Sequence, residues 1–159
     1  MRIGIGYDIH RFQEGRSLVL GGVALPAETG LAGHSDADVL LHAVTDALLG
    51  AAGLGDIGQR YPPDDPTYGG ADSRRLLEEV AAELAEAGLR PESLDATVIA
   101  DRPKLAPHLA AMRAAIAAAV GLAPDRVNVK ATTNEGVGEI GRGEAIAALA
   151  VALLSEERA

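Results

Sequence analysis

Cysteine is absent from this 159-residue chain, so neither a disulfide nor a thiolate metal ligand is available, and any metal must be held by histidine and carboxylate. Tryptophan is also absent, and one phenylalanine and three tyrosines are too few for a platform on which nucleic-acid bases stack. Positive charge is scarce. Fourteen Lys and Arg stand against 23 Asp and Glu, a formal net charge of −9, which argues against a protein built to neutralise a nucleic-acid backbone. No apolar run reaches the roughly 18 uninterrupted residues of a membrane helix, and no basic segment leads into a long apolar stretch at the start. The expectation is a cytoplasmic protein with one domain spanning 1–159, whose 48% hydrophobic content is enough for a real core.

Four histidines are present, and two of them stand in informative places. Asp8 and His10 follow the apolar run Met1 to Tyr7 and are expected at the end of an N-terminal strand, where residues two apart share one face. Ile9 between them is expected to face a core. His42 falls within a helical pattern in which Val39, Leu40, Ala43, Val44, Ala47 and Leu48 recur at helical spacing. Asp38 and Asp46 flank it at i−4 and i+4, and either could accept the second ring N–H of a ligating histidine. Three such protein ligands leave a fourth tetrahedral position open, the arrangement of catalytic zinc. Taken singly, however, Asp-x-His is an ordinary strand end and His42 an ordinary helix-face histidine.

Turn signals organise the rest. Leu18 to Pro26 reads as a hairpin turning at Gly21-Gly22, and Glu28 to Gly33 as a loop. Ser35 or Asp36 can cap the helix ending near Gly53, and Asp72 or Ser73 a second one running to Gly88. Between them the Pro- and Asp-rich stretch Asp56 to Gly70 cannot continue a helix. Asp95 to Ala100 and Val127 to Lys130 read as strands, and Leu105 to Val120 as an Ala-rich helix closed by Gly121. The tail Glu144 to Leu154 fits strand and helix about equally. The pattern predicts an α+β domain, a layered α/β sandwich with helices packed on one face of a mixed sheet.

Five segments in order carry a resemblance: Arg2 to His10, His34 to Ala43, Gly55-Asp56-Ile57-Gly58, Val127 to Glu135 and Gly141-Arg142-Gly143-Glu144. Together they resemble the 2-C-methyl-D-erythritol 2,4-cyclodiphosphate synthase family nearly end to end. The resemblance implies conversion of 4-diphosphocytidyl-2-C-methyl-D-erythritol 2-phosphate to the 2,4-cyclodiphosphate and CMP, with the substrate's own phosphate as nucleophile. It also settles the tail as a strand and implies a homotrimer with active sites between subunits.

Carried over by position, the resemblance implies zinc or another divalent cation at Asp8, His10 and His42, and magnesium or manganese between Glu135 and the substrate diphosphate. His34 and Ser35, just ahead of the helix, are expected to meet a phosphate at its N-terminal end. Thr132 and Thr133 are expected at the nucleotide diphosphate, Asp56 with Ile57 and Gly58 at the ribose, and Ala100, Leu105 and Ala106 around the cytosine. Lys104 is expected at a phosphate. Arg142 is expected at the substrate site and also in a pair with Glu144 that closes the trimer. Glu139 stands where some family members carry an aromatic residue beside a cavity on the trimer axis, and Gly136 replaces a longer side chain next to Glu135. Two other classes fit part of the same residues: a metal-dependent phosphohydrolase that releases inorganic phosphate, and a binding module that holds CDP without turnover.

Overall fold

The computed structural model describes residues 1–62 and 64–156. Pro63, in the loop expected from Asp56 to Gly70, and the last three residues of the expected domain lie outside the described residues. The chain runs through β1 (Arg2–Glu14), β2 (Leu18–Leu20), β3 (Val23–Leu25), β4 (Thr29–Leu31), α1 (Val39–Ala52), α2 (Ile57–Arg60), α3 (Ser73–Glu86), β5 (Leu89–Ile99), α4 (Leu109–Val120), β6 (Val127–Thr132), α5 (Gly138–Gly141) and β7 (Ala145–Glu156). Five strands form one sheet in the order β4-β1-β7-β5-β6, antiparallel except for the parallel pair β5 and β6 that α4 connects. Helix α1 packs on β1 and β7, α4 on β6, and α3 against both helices, so the three long helices form one layer over one sheet face. This is the mixed sheet with one-sided helices expected from the sequence.

Helix α1 is apolar nearly all round because it is covered on nearly all sides. Val39, Leu40, Leu41, Val44, Leu48 and Leu49 are all buried between the sheet, α3 and the β2–β3 hairpin. Each such side chain contributes about 1.5–3 kcal/mol through burial. Asp38 caps the helix: its Oδ1 accepts from Leu41 N at 3.0 Å, while the carboxylate also accepts from Gly21 N and Gly22 N at 2.9 and 2.7 Å. One carboxylate thus ties the hairpin turn to the start of the helix.

The seating of α1 on β1 follows from two glycines. A Cβ on Gly4 would lie 2.1 Å from Ala47 O, and one on Gly6 would lie 1.9 Å from Ala43 O. Only hydrogen fits there, so the helix backbone rests directly on the strand. Gly4, Gly6, Asp8 and His10 form one row under α1, and Ala51, Ala47 and Ala43 descend along that row toward its polar end. His42, one residue before Ala43, is thereby brought over Asp8 and His10.

Several expectations are corrected. Asp8 and His10 lie in the middle of β1, because the strand continues to Glu14 to pair with β4 and β7. Ile9 does not face the core: Ile3, Ile5, Tyr7 and Ile9 are 72%, 70%, 52% and 43% exposed, since the alternation is as expected but the helices cover the glycine row. The 28–33 loop contains strand β4, too short to show any period. Helix α4 starts at Leu109 and not Leu105, because Pro107 disfavours helical backbone at Ala106 and a 3₁₀ turn intervenes. Asp38, and neither Ser35 nor Asp36, caps α1. Its carboxylate occupies that helix end, so His34 and Ser35 do not sit at a free helix N-terminus. Apart from these corrections, Arg142 within the single chain lies 2.7 Å from Glu144 and 3.5 Å from Glu139.

Candidate active site and metal centre

Strand β1 presents Asp8 and His10 two residues apart, and α1 lowers His42 onto them. Asp8 Oδ2 lies 2.8 Å from His10 Nε2 and 2.9 Å from His42 Nδ1, and the two ring nitrogens are 3.1 Å apart. Three potential ligand atoms of three partly buried residues form a compact triangle able to hold a metal ion. Burial alone would raise the Asp8 carboxyl, but its bonds to His10 and His42 hold it far below the usual carboxylate range. Burial, the largest single influence, would lower His42, but the Asp8 hydrogen bond together with the negative charges of Asp8, Asp38 and Asp36 raises it.

Neither aspartate expected to brace His42 does so. Asp38 caps α1, and Asp46 accepts from Ile57 N at 2.7 Å, pinning the start of α2. The second ring nitrogen of His42 instead meets two serines: Nε2 is 2.9 Å from Ser73 Oγ and 3.1 Å from Ser35 Oγ. Ser73, at the start of α3, donates in turn to Asp36 Oδ1, while its backbone N–H donates to Asp36 Oδ2 at 3.1 Å. The sequence signal was there in part. Ser35-Asp36-Ala37-Asp38 holds more polar side chains than one helix cap needs, which leaves Asp36 free to reach another element.

A cleft opens beside the triangle. It is lined by His10, His34, Ser35 and His42 together with Ile57, Gly58, Tyr61, Tyr68 and Leu76. Tyr61 and Tyr68 stack edge to face at 5.2 Å, and Tyr61 Oη donates to Glu79 on α3 at 3.2 Å. These tyrosines and Leu76 were not singled out from the sequence, because their apolar role appears only when the 56–70 segment folds back over α3. Asp56 caps α2 through Gln59 N at 2.8 Å. His34 Nε2 approaches Asp65 O at 3.1 Å.

A second cleft gathers Ala100, Lys104, Leu105, Thr132 and Thr133, with Ala131, Asp101 and Pro103. Glu135 stands beside it, accepting from Thr133 Oγ1 at 3.0 Å, with a positive φ of 51° that turns the chain back on itself. Ala106 and Arg142 line neither cleft. The two groups do not meet within one chain. Ile9, Ala147, Ile99 and Thr132 form one transverse row of the sheet, so Thr132 lies three strands, about 14 Å, from β1.

Fold and site together define a mixed-sheet α+β protein with an Asp-His-His triangle able to hold a metal ion. The YgbB family model matches residues 1–155, and the chain belongs to that family. It is 61% identical over 158 residues to the 2-C-methyl-D-erythritol 2,4-cyclodiphosphate synthase of Burkholderia thailandensis, covering 99% of this chain and 98% of that one. Among solved structures, a 2C-methyl-D-erythritol-2,4-cyclodiphosphate synthase in its CDP-bound form matches with TM-score 0.88 at 39% identity, over 97% of this chain and all of the other. The bifunctional IspDF of Campylobacter jejuni matches with TM-score 0.94 at 44% identity, over 98% of this chain; the chain spans 42% of that longer protein. Among the described residues no helix is long and apolar enough to cross a membrane.

Proposed function

We propose that Asp8, His10 and His42 hold zinc or another divalent cation, and that the chain uses this centre in the reaction of its family. That reaction converts 4-diphosphocytidyl-2-C-methyl-D-erythritol 2-phosphate to 2-C-methyl-D-erythritol 2,4-cyclodiphosphate and CMP, in the non-mevalonate isoprenoid pathway. It makes the enzyme a phosphorus–oxygen lyase, with residues 1–159 as one catalytic domain and a cytoplasmic location. The observation that carries the metal assignment is the triangle of ligand atoms at 2.8–3.1 Å. Ligands on a tetrahedral ion with bonds of about 2.0–2.1 Å lie about 3.3 Å apart, so the triangle needs to open only slightly to fit. A cation bound there supplies positive charge that polarises a phosphate oxygen.

The chain's own residues position the reacting groups. An oxygen of the substrate's 2-phosphate forms a bond to the β-phosphorus, and the bond from that phosphorus to the CMP oxygen breaks. No protein nucleophile is required, and orientation with charge neutralisation does most of the work. His34 and Ser35 meet the phosphates in the first cleft, whose Tyr61, Tyr68 and Leu76 wall suits the methylerythritol carbons. Asp56 takes the ribose hydroxyls, assisted by the backbone of Ile57 and Gly58. In the second cleft Ala100 and Leu105 frame the cytosine, with Ala106 next to Leu105 just outside the lining, while Thr132, Thr133 and Lys104 hold the diphosphate. Glu135 is the ligand for magnesium or manganese there, hard oxygen suiting a hard ion. Arg142 lies outside both clefts of the single chain, and its assignment to the substrate site rests on its place in the Gly141 to Glu144 segment alone.

Since the clefts are strands apart in one chain, a complete site takes the metal residues from one copy and the nucleotide cleft from the next. The open sheet face supports a homotrimer. Ile3, Ile5, Tyr7, Ile9, Leu149 and Val151 are all exposed on it, a contiguous apolar surface that needs cover. Phosphorus NMR of the protein with the diphosphocytidyl substrate, with and without zinc and magnesium, tests the proposal. Cyclic diphosphate and equimolar CMP are expected. Release of inorganic phosphate would establish a hydrolase instead, and CDP protection against unfolding without turnover a binding module.

A further inference from the structure

A buried hydroxyl that is not one of the triangle's own groups touches His42 from behind. Ser73 is 1% exposed, and its hydroxyl lies between His42 Nε2 at 2.9 Å and the Asp36 carboxylate. We propose that Ser73 is a positioning residue for the metal centre, relaying Asp36 to His42 so that the imidazole presents Nδ1 to the ion. The inference rests on the metal assignment above and names how this chain orients one of its ligands.

The proton inventory supports it. An ion at the triangle takes the Nδ1 lone pair of His42, because Nδ1 is the nitrogen that faces Asp8 and His10. The ring proton must then sit on Nε2 and needs an acceptor. Two hydroxyl oxygens are in reach, Ser73 at the shorter distance and Ser35 at 3.1 Å. Ser73 is the better acceptor because its own proton is committed to a carboxylate, which makes the oxygen more electron-rich. Asp36 is itself fixed, accepting from Ser73 N at 3.1 Å and Asp38 N at 3.2 Å, so the relay is built on the backbone of two helix starts.

The arrangement has a consequence for Ser35. Its oxygen accepts from Ala37 N at 3.1 Å, and the distance to Ser73 Oγ is 3.4 Å. With Ser73 Oγ accepting the hydrogen bond from His42 Nε2–H and donating its own to Asp36, the Ser35 hydroxyl is left free to donate into the cleft that Ser35 lines. One buried serine therefore orients a metal ligand and frees a substrate-facing donor.

The test uses the full-length protein, with zinc affinity from competition against a chromogenic chelator and the visible spectrum of the cobalt(II) form. Ser73→Ala is expected to weaken zinc binding about 10- to 100-fold, as loss of a ligand's outer partner does, and to shift the cobalt bands. Asp36→Asn, which keeps the serine, is expected to move both readouts the same way by less. Asp72→Ala serves as the structural control, since Asp72 caps the same helix through Arg74 N without touching His42. It is expected to lower the melting temperature and leave the cobalt spectrum alone. Unchanged affinity and spectrum in Ser73→Ala, with the wild type binding one ion, would overturn the relay and leave the metal assignment standing. Equal spectral shifts in Asp72→Ala would assign the effect to the helix start and also overturn it. If wild type and His42→Ala bound cobalt alike, the metal assignment itself would fall, and the relay with it.

Discussion

Strand β1 has two faces, and they reverse the usual rule. On the covered face stand Gly4, Gly6, Asp8 and His10; on the open face stand Ile3, Ile5, Tyr7 and Ile9. A solitary sheet with one wet side puts its apolar residues under the helices and its polar ones in water. Here the small and polar residues are inside because the helix backbone needs room over the glycines and His42 closes over Asp8 and His10. The large apolar residues outside make sense only if something else covers them. One alternation therefore encodes two things, a cluster of polar side chains on one side and an exposed apolar surface on the other.

The sharpest break in that comparison is at the site. Removing His42 takes away one corner of the triangle. His42→Ala should cut turnover at least 10³-fold, about 4 kcal/mol of transition-state stabilisation, while sedimentation shows the assembly unchanged. Full activity in a zinc-free His42→Ala protein would sink the site assignment. On the other face, Ile5→Asp should do the reverse. A charge forced into a buried interface costs about 3–5 kcal/mol, so the protein should sediment as a smaller species that still binds zinc but turns over little substrate. An Ile5→Asp protein of unchanged mass and activity would show that this face is not the contact. Between the two stands Gly6→Val, which pushes the helix off the strand. With a Cβ 1.9 Å from a carbonyl oxygen of α1, the destabilisation should be about 3 kcal/mol, a fall in Tm of about 6–12 °C. A melt within about 2 °C of the wild type would mean that α1 is not seated as described.

Much of this was legible in the residues, and the parts that were not have identifiable causes. The Asp-x-His spacing and the apolar period around His42 pointed to the three residues that the fold brings together, because period-two and period-3.6 patterns fix which side chains share a face. They did not say which face held the core. Ile9 looked like the inward residue by polarity, and only the approach of α1 to Gly4 and Gly6 shows otherwise. The choice among Ser35, Asp36 and Asp38 as helix cap was equally beyond sequence. All three are good caps, and Asp38 wins because the distant Gly21 and Gly22 amides reach it. That outcome freed Asp36 for Ser73, a long-range bond no local spacing announces. The wall of Tyr61, Tyr68 and Leu76 was hidden for a similar reason: its members come from three separate elements.

The smallest expected effect sharpens the comparison most cheaply. Lys130 and Asp95 pair at 2.5 Å on the polar side of the open face, on neighbouring strands β6 and β5. Both side chains are about half exposed in the single chain, at 50% and 53%, and such a pair contributes about 0–1 kcal/mol. The Lys130 hydrogen bond holds the Asp95 carboxyl below its ordinary value, against a small opposing effect of burial. A carboxylate with a depressed folded pKa stabilises above its unfolded pKa and loses that contribution as pH falls through the folded one. The difference between wild type and Lys130→Ala should therefore be flat near neutral pH and vanish in acid, below the usual carboxylate range. Its size at neutral pH is what discriminates. If the open face is covered by another copy, removing Lys130 leaves Asp95 desolvated without its partner, and the cost exceeds that of an exposed pair. In the Ile5→Asp background the same substitution should fall back below about 1 kcal/mol, and thermal melts of the four proteins in a double-mutant cycle would measure the difference. Equal costs in both backgrounds would mean that this edge of the face stays in water even in the assembled protein, confining the contact to the isoleucine rows of β1 and β7.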